Sequence, residues 1–243
     1  MSTVFIKILP IPCRPCYNPD MNHLKAVIVD FDDTLCLTEE VCFELENACL
    51  AKMGRPPMSR EIHKATWGQP LFDAIAKRSP GVDVELFKVV FAPLLKEFTE
   101  KGKLDAIPQA NLDALDAIIE SGIKTMILTS RTHGELAHLL KPDHALASRI
   151  QAFYYKDNTV YHKPDPRVFD KLLRDHNLKP SECVYVGDAP SDAIAAKQAG
   201  LHFIASLESG LRAKSDFDGL NVDYFAPTFA EVPKIIANLI YYR

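Results

Sequence analysis

A chain of 243 residues with 47% hydrophobic and 25% charged content carries enough apolar material for a sizeable buried core. Its formal net charge of -4, with no run of lysines or arginines, excludes the electrostatic footprint of a nucleic-acid or anionic-membrane binder. No apolar stretch approaches the roughly 20 residues that span a bilayer, and a chain of this size does not need its six cysteines as disulfide staples, so a cytoplasmic protein is expected.

Residues 1–22 hold four prolines and no lasting periodicity, and they read as a flexible, dispensable leader ending beside Met21. The apolar run Val4 to Ile11 is broken by Lys7 and Pro10 and lacks a small-residue cleavage site, so no signal peptide is expected. Cys13 and Cys16 have the spacing of half a zinc site, but no second pair accompanies them, and they read as incidental thiols.

From Lys25 the run Ala26-Val27-Ile28-Val29 is short, apolar and β-branched, the pattern of a strand covered on both faces. It stops at Asp30-Phe31-Asp32-Asp33-Thr34. Between Leu37 and about Asp105 the pattern turns helical, with segments expected over Thr38 to Met53, Arg60 to Thr66, Pro70 to Arg78 and Val84 to Lys101. Cys42, Phe43, Leu45 and Cys49 are expected on the apolar face of the first, and Phe87, Val90, Phe91 and Leu94 in the core of the last. This block reads as a separate domain over 38–104, reached through linkers near Leu35 to Thr38 and Lys103 to Pro108 and acting as a lid.

Further strands are expected at Thr125 to Leu128, Ala152 to Tyr155, Cys183 to Val186 and His202 to Ala205, with helices between most of them. Alternation of this kind predicts an α/β fold, a parallel sheet with helices on both faces built from residues 23–37 and 105–243. Ligands of such sheets sit beyond the carboxyl ends of the strands, so the polar residues closing each run are the candidate site.

Four of those endings carry chemistry. Asp30 and Asp32 leave the same side of the chain, and carboxylates that close need a cation or a shared proton. Thr129-Ser130 follow a strand with a hydroxyl and free backbone N–H groups, a cradle for an anion. Lys163 offers a point charge in a proline-stiffened loop, and Gly187-Asp188-Ala189-Pro190-Ser191-Asp192 puts two carboxylates at a helix start. Taken singly each has a bland alternative as a turn, an N-cap or a solvated charge; taken together, in this order, they do not.

Asp30-Phe31-Asp32-Asp33-Thr34, Thr129, Lys163 and Gly187-Asp188 to Asp192 resemble, in order, the four motifs of the haloacid dehalogenase-like phosphatases. The resemblance runs from about Lys25 to the C-terminus. The helical insertion is similar to the class I cap of the subfamily holding phosphoglycolate phosphatases and β-phosphoglucomutases, with Trp67-Gly68-Gln69-Pro70 at its glycine turn. The resemblance implies Asp30 as nucleophile, Asp32 as general acid and base, Thr129 and Ser130 as phosphate holders and Lys163 as the compensating charge. It also implies Mg²⁺ held by Asp30, the Asp32 backbone carbonyl and Asp188, with Asp192 orienting Lys163 or a metal-bound water.

Two positions depart from the family pattern: Asp33, where glycine is common, and Arg131, which follows the second motif. Arg131, His133 and His162 are left outside the catalytic set, and Trp67 and Arg55 are candidates for specificity. His138 and His144 read as surface residues. The implied activity is hydrolysis of a small phosphorylated metabolite by a monomer or homodimer. A phosphomutase is the runner-up, weakened by Thr34, and a catalytically idle binding protein is the alternative from another class.

Overall fold

The structure, a computed structural model, describes residues 24–69 and 71–241. The leader over residues 1–22, with Cys13 and Cys16, and Pro70 of the glycine turn lie outside the described residues.

Six strands form one parallel sheet: β1 (Ala26–Val29), β2 (Lys124–Leu128), β3 (Ala152–Tyr154), β4 (Cys183–Gly187), β5 (His202–Ser206) and β6 (Tyr224–Ala226), in the spatial order β3-β2-β1-β4-β5-β6. The helices are α1 (Thr38–Lys52), α2 (Arg60–Ala65), α3 (Leu71–Arg78), α4 (Val84–Glu100), α5 (Gln109–Glu120), α6 (His133–Leu136), α7 (Asp170–His176), α8 (Pro190–Gln198) and α9 (Val232–Tyr241). The α/β architecture expected from strand–helix alternation is what forms, and each of the five expected strands is present. The edge strand β6 was not anticipated; three residues are too few to display a period.

Successive side chains of a strand face opposite ways, and the sheet uses both faces. Val27 and Val29 of β1, Ile127 of β2 and Val184 and Val186 of β4 join α5 and α9 in one apolar layer. Ala26 and Ile28, Met126 and Leu128, and Tyr185 join Leu172 and Ala196 in the other. Parallel register then aligns the strand ends: Val29 of β1 pairs with Ile127 of β2 and with Val186 of β4. The polar residues that follow all three strands therefore emerge at one edge of the sheet.

The four helices after β1 have an apolar cluster of their own, around Leu45, Cys49, Leu50, Ile75, Phe87 and Leu94, with Val90, Phe91 and Phe43 packed against it. The first helix differs from a simple amphipathic one, because Glu39 and Glu46 of α1 are both only 2% exposed. Such charges are tolerated in an interior only when paired. Glu46 Oε1 and Oε2 accept from Arg78 Nη1 at 2.6 and 2.7 Å, and Arg78 also donates to the Thr66 hydroxyl and carbonyl. The fully buried His63 ring lies 2.6 Å from Glu39 and 3.3 Å from Glu46, and Arg60 closes on Glu39 at 2.7 Å. These bonds bind α2 and α3 to α1 and so set the position of Trp67, which reaches back to the sheet.

Removing one partner of a buried ion pair strands the other. Arg78→Ala is expected to cost about 3–5 kcal/mol in equilibrium urea unfolding. The double change Arg78→Met, Glu46→Leu is expected to cost less than Arg78→Ala alone.

Candidate active site

Asp30 follows β1 directly, tied down by its backbone N–H to the Val186 carbonyl at 2.8 Å. The chain then turns, with the Phe31 carbonyl accepting from Leu35 and Cys36 N–H at 3.1 and 3.0 Å. One oxygen of Asp30 accepts from the Phe31 N–H at 2.8 Å, and the other lies 3.0 Å from Lys163 Nζ. Lys163 is also 2.7 Å from Asp192 Oδ1 and donates to the Tyr185 hydroxyl at 3.1 Å. Burial works against the Lys163 charge, but Asp192 and Asp30 reverse that and hold its pKa well above the ordinary value.

Asp192 stands at the start of α8, where its second oxygen accepts from the Ala189 N–H at 3.1 Å. It can sit there because residue 187 is glycine: a Cβ at that position would lie 2.5 Å from Asp192 Oδ2. The spacing Gly-Asp-x-x-x-Asp is thus a packing requirement as well as a signature. Tyr185, two residues before Gly187 on β4, contacts Lys163, Asp192 and the Leu128 carbonyl. Nothing in its strand setting marked it beforehand.

Asp30, Asp188 and Asp192 bring carboxylate oxygens within 4.8 Å of one another, the one group of this kind among the described residues. Asp188 has only the Thr34 hydroxyl, at 3.4 Å, as a hydrogen-bond partner among the described contacts. Burial pushes Asp188 well above the usual carboxylate range, reinforced by Asp192 and Asp30. Burial likewise pushes Asp30 up to about 7, with Lys163 opposing it. One lysine does not neutralise three buried carboxylates, and an all-oxygen donor set short of positive charge fits a hard divalent cation.

Thr129 is held by its N–H to the Tyr154 carbonyl at 3.0 Å, and its hydroxyl accepts from the Arg131 N–H at 3.2 Å. Thr129, Ser130 and Lys163 line a cavity of about 230 Å³ together with His162. Asp32 takes no part in the acidic cluster. Its carboxylate accepts from Thr38 at 2.7 Å and from Arg131 at 2.7 to 3.1 Å.

Asp33 goes a third way. It has φ 55°, left-handed backbone that glycine enters freely, which is the physical reason glycine suits this position. Its carboxylate accepts from the Glu39 N–H at 2.9 Å and from the Trp67 indole at 2.7 Å, joining the turn to α1 and to the end of α2. Burial pushes Asp33 up to about 6, and those two hydrogen bonds pull it back. His138, expected as a surface residue, is half-exposed and bonds Asp105, which Arg131 also contacts at 2.7 Å. Arg55 does not approach the site; it is spent on Ser79, Pro80 and Gly81.

A model of the haloacid dehalogenase-like hydrolases matches residues 27–206. A phosphoglycolate phosphatase of Xylella fastidiosa is 26% identical over 225 residues, 92% of this chain and 96% of that protein. Among solved structures, a HAD-superfamily hydrolase of subfamily IA from Geobacter sulfurreducens superposes with a TM-score of 0.67 at 21% identity, covering 88% of this chain and 97% of the other. CbbY from Rhodobacter sphaeroides, in complex with phosphate, superposes at 0.62 and 21% identity, covering 86% and 96%. At these identities the structures speak for the fold.

Because folding raises the pKa of Asp30 from 3.8 to about 7, the cation-free protein keeps that contribution to stability at low pH and loses it as pH rises through 7. A divalent cation competes with those protons. The melting-temperature gain on adding Mg²⁺ is therefore expected to grow from about pH 5 to about pH 8. Equal gains at both would place cation binding elsewhere.

Proposed function

The chain belongs to the haloacid dehalogenase-like hydrolase family and is a phosphatase of it, and we propose that it hydrolyses a small phosphomonoester through a phosphorylated Asp30 with Mg²⁺ as cofactor. The observation that carries this is the position of Asp30: a buried carboxylate at a strand end, 3.0 Å from Lys163, with Asp188 alongside.

In the proposed reaction a carboxylate oxygen of Asp30 attacks phosphorus while the bond from phosphorus to the ester oxygen breaks, and Asp32 gives that oxygen its proton. A water then loses a proton to Asp32 and attacks the same phosphorus, and Asp30 departs as carboxylate. Lys163, fixed by Asp192, offsets negative charge on Asp30 and the phosphoryl oxygens, and the Thr129 hydroxyl together with Ser130 holds those oxygens. Asp30, Asp188 and the backbone carbonyl of Asp32 would hold Mg²⁺, which when bound lets an anionic nucleophile approach an anionic phosphate.

The name of the Xylella fastidiosa relative supports a small phosphorylated acid such as phosphoglycolate as the first substrate to try. The helices over 38–104 would serve as a cap that screens the reaction from bulk water. All four described cysteines are free, which supports a reducing cytoplasm. No helix among the described residues is long and apolar enough to cross a membrane.

Asp30→Asn is expected to abolish turnover and to take up no covalent phosphate. Asp32→Asn is expected to lose about 10²- to 10⁴-fold in turnover. With an aryl phosphate, whose leaving group needs little protonation, it should accumulate an added phosphoryl mass in rapidly quenched protein. Equal labelling of both variants, or labelling mapped to another residue, would remove Asp30 as nucleophile.

A further inference from the structure

Arg131 makes most of the hydrogen bonds that the Asp32 carboxylate accepts among the described residues. Its Nε lies 3.1 and 3.0 Å from the two oxygens of Asp32, its Nη2 lies 2.7 Å from Oδ1, and its Nη1 lies 2.7 Å from Asp105. The guanidinium sits over the ring of Phe31, 4.6 Å from its centroid, and Phe31 is itself fully buried, so the fork packs against a covered aromatic face. Burial opposes the charge of Arg131, but Asp32 and Asp105 outweigh it and keep the group firmly protonated.

The partners matter as much as the distances. Asp105 lies in the connection between α4 and α5, where the chain returns from the helical block to the sheet. Thr38, the other donor to Asp32, opens α1, where the chain enters that block. Both passages between block and sheet therefore meet at one carboxylate, the outgoing one through a hydroxyl and the returning one through Arg131.

Granting Asp32 the acid–base role proposed above, we infer that Arg131 is its positioning residue and ties the direction of that carboxylate to the returning connection through Asp105. A guanidinium does this and an ammonium does not, because only the planar fork reaches both oxygens of Asp32 through Nε and Nη2 while its Nη1 holds Asp105. The second carboxylate of the motif is thereby held away from the acidic cluster, aimed by groups whose own position depends on the helical block. Arg131 moves no proton itself. It acts by keeping a proton-transfer group in line, and misplacement of about 1 Å costs about 10²-fold.

The test uses the full chain with Mg²⁺ and two probes, p-nitrophenyl phosphate and 2-phosphoglycolate, on wild type, Arg131→Ala, Arg131→Lys and Asp105→Asn. Arg131→Ala is expected to retain a rapid nitrophenolate burst and to accumulate phosphoprotein, while kcat for 2-phosphoglycolate falls about 10²-fold. KM should change little, and free guanidinium ion should restore part of the lost kcat. Arg131→Lys should recover only a fraction, and Asp105→Asn should show the same burst and accumulation in weaker form. Loss of burst and turnover in equal measure, with a lowered melting temperature and no guanidinium rescue, would make Arg131 merely structural and overturn the inference. A raised KM with unchanged kcat would overturn it by making Arg131 a substrate-binding group. Wild-type protein that neither releases phosphate nor takes up label would overturn the phosphatase mechanism itself, and this inference with it.

Discussion

Three carboxylates confined around one ammonium group are the constraint on which the rest of the molecule turns. At an effective dielectric constant near 20, two unit charges about 4 Å apart interact by about 4 kcal/mol, so full ionisation of Asp30, Asp188 and Asp192 together would cost an amount comparable with the stability of a whole domain, and Asp30 and Asp188 hold their protons to higher pH instead. Lys163 sits between two of them, at 3.0 and 2.7 Å, and the Phe31 and Ala189 N–H groups take up further lone pairs. Such an arrangement persists only if the backbone cannot relax away from it. The central strands, buried on both faces and locked in parallel register, supply that rigidity.

The turn after β1 distributes its acids with a clear division. Asp30 points into the sheet end and meets Lys163; Asp32 points outward and meets Thr38 and Arg131; Asp33, on left-handed backbone, meets Glu39 and Trp67. Three aspartates in one turn thus occupy three environments: a buried ammonium and acidic cluster for Asp30, a guanidinium and a hydroxyl for Asp32, and a backbone N–H with an indole for Asp33. Environment rather than residue type is what distinguishes these three side chains.

What was legible in the sequence was whatever is encoded locally. Buried strands announce themselves as short β-branched runs, and the polar residues that close them emerge together once the strands run parallel, so Asp30, Thr129, Asp188 and Asp192 stand out from the sequence alone. Arg131 was visible only as a departure beside Thr129, since its partners Asp32 and Asp105 lie 99 and 26 positions away. The same holds for Glu46, paired with Arg78 across 32 positions. Periodicity placed Glu46 on a helix without revealing that it would be buried. Asp33 is visible in the sequence only as a departure from the glycine common at that position. Its service as an acceptor for Trp67 depends on a contact spanning 34 positions, which spacing cannot express.

That last contact has an optical consequence. Trp67 is the single tryptophan of the chain, and its indole N–H rests on a carboxylate at the seam between the helical block and the sheet. The chain's indole emission therefore comes from one chromophore at one junction. Its wavelength and lifetime depend on the charge and hydration of the pocket around the ring. Trp67 is partly exposed, and any separation of block from sheet that changed the hydration of its ring or broke its bond to Asp33 would register as a spectral shift, so the unlabelled protein carries its own gauge of opening.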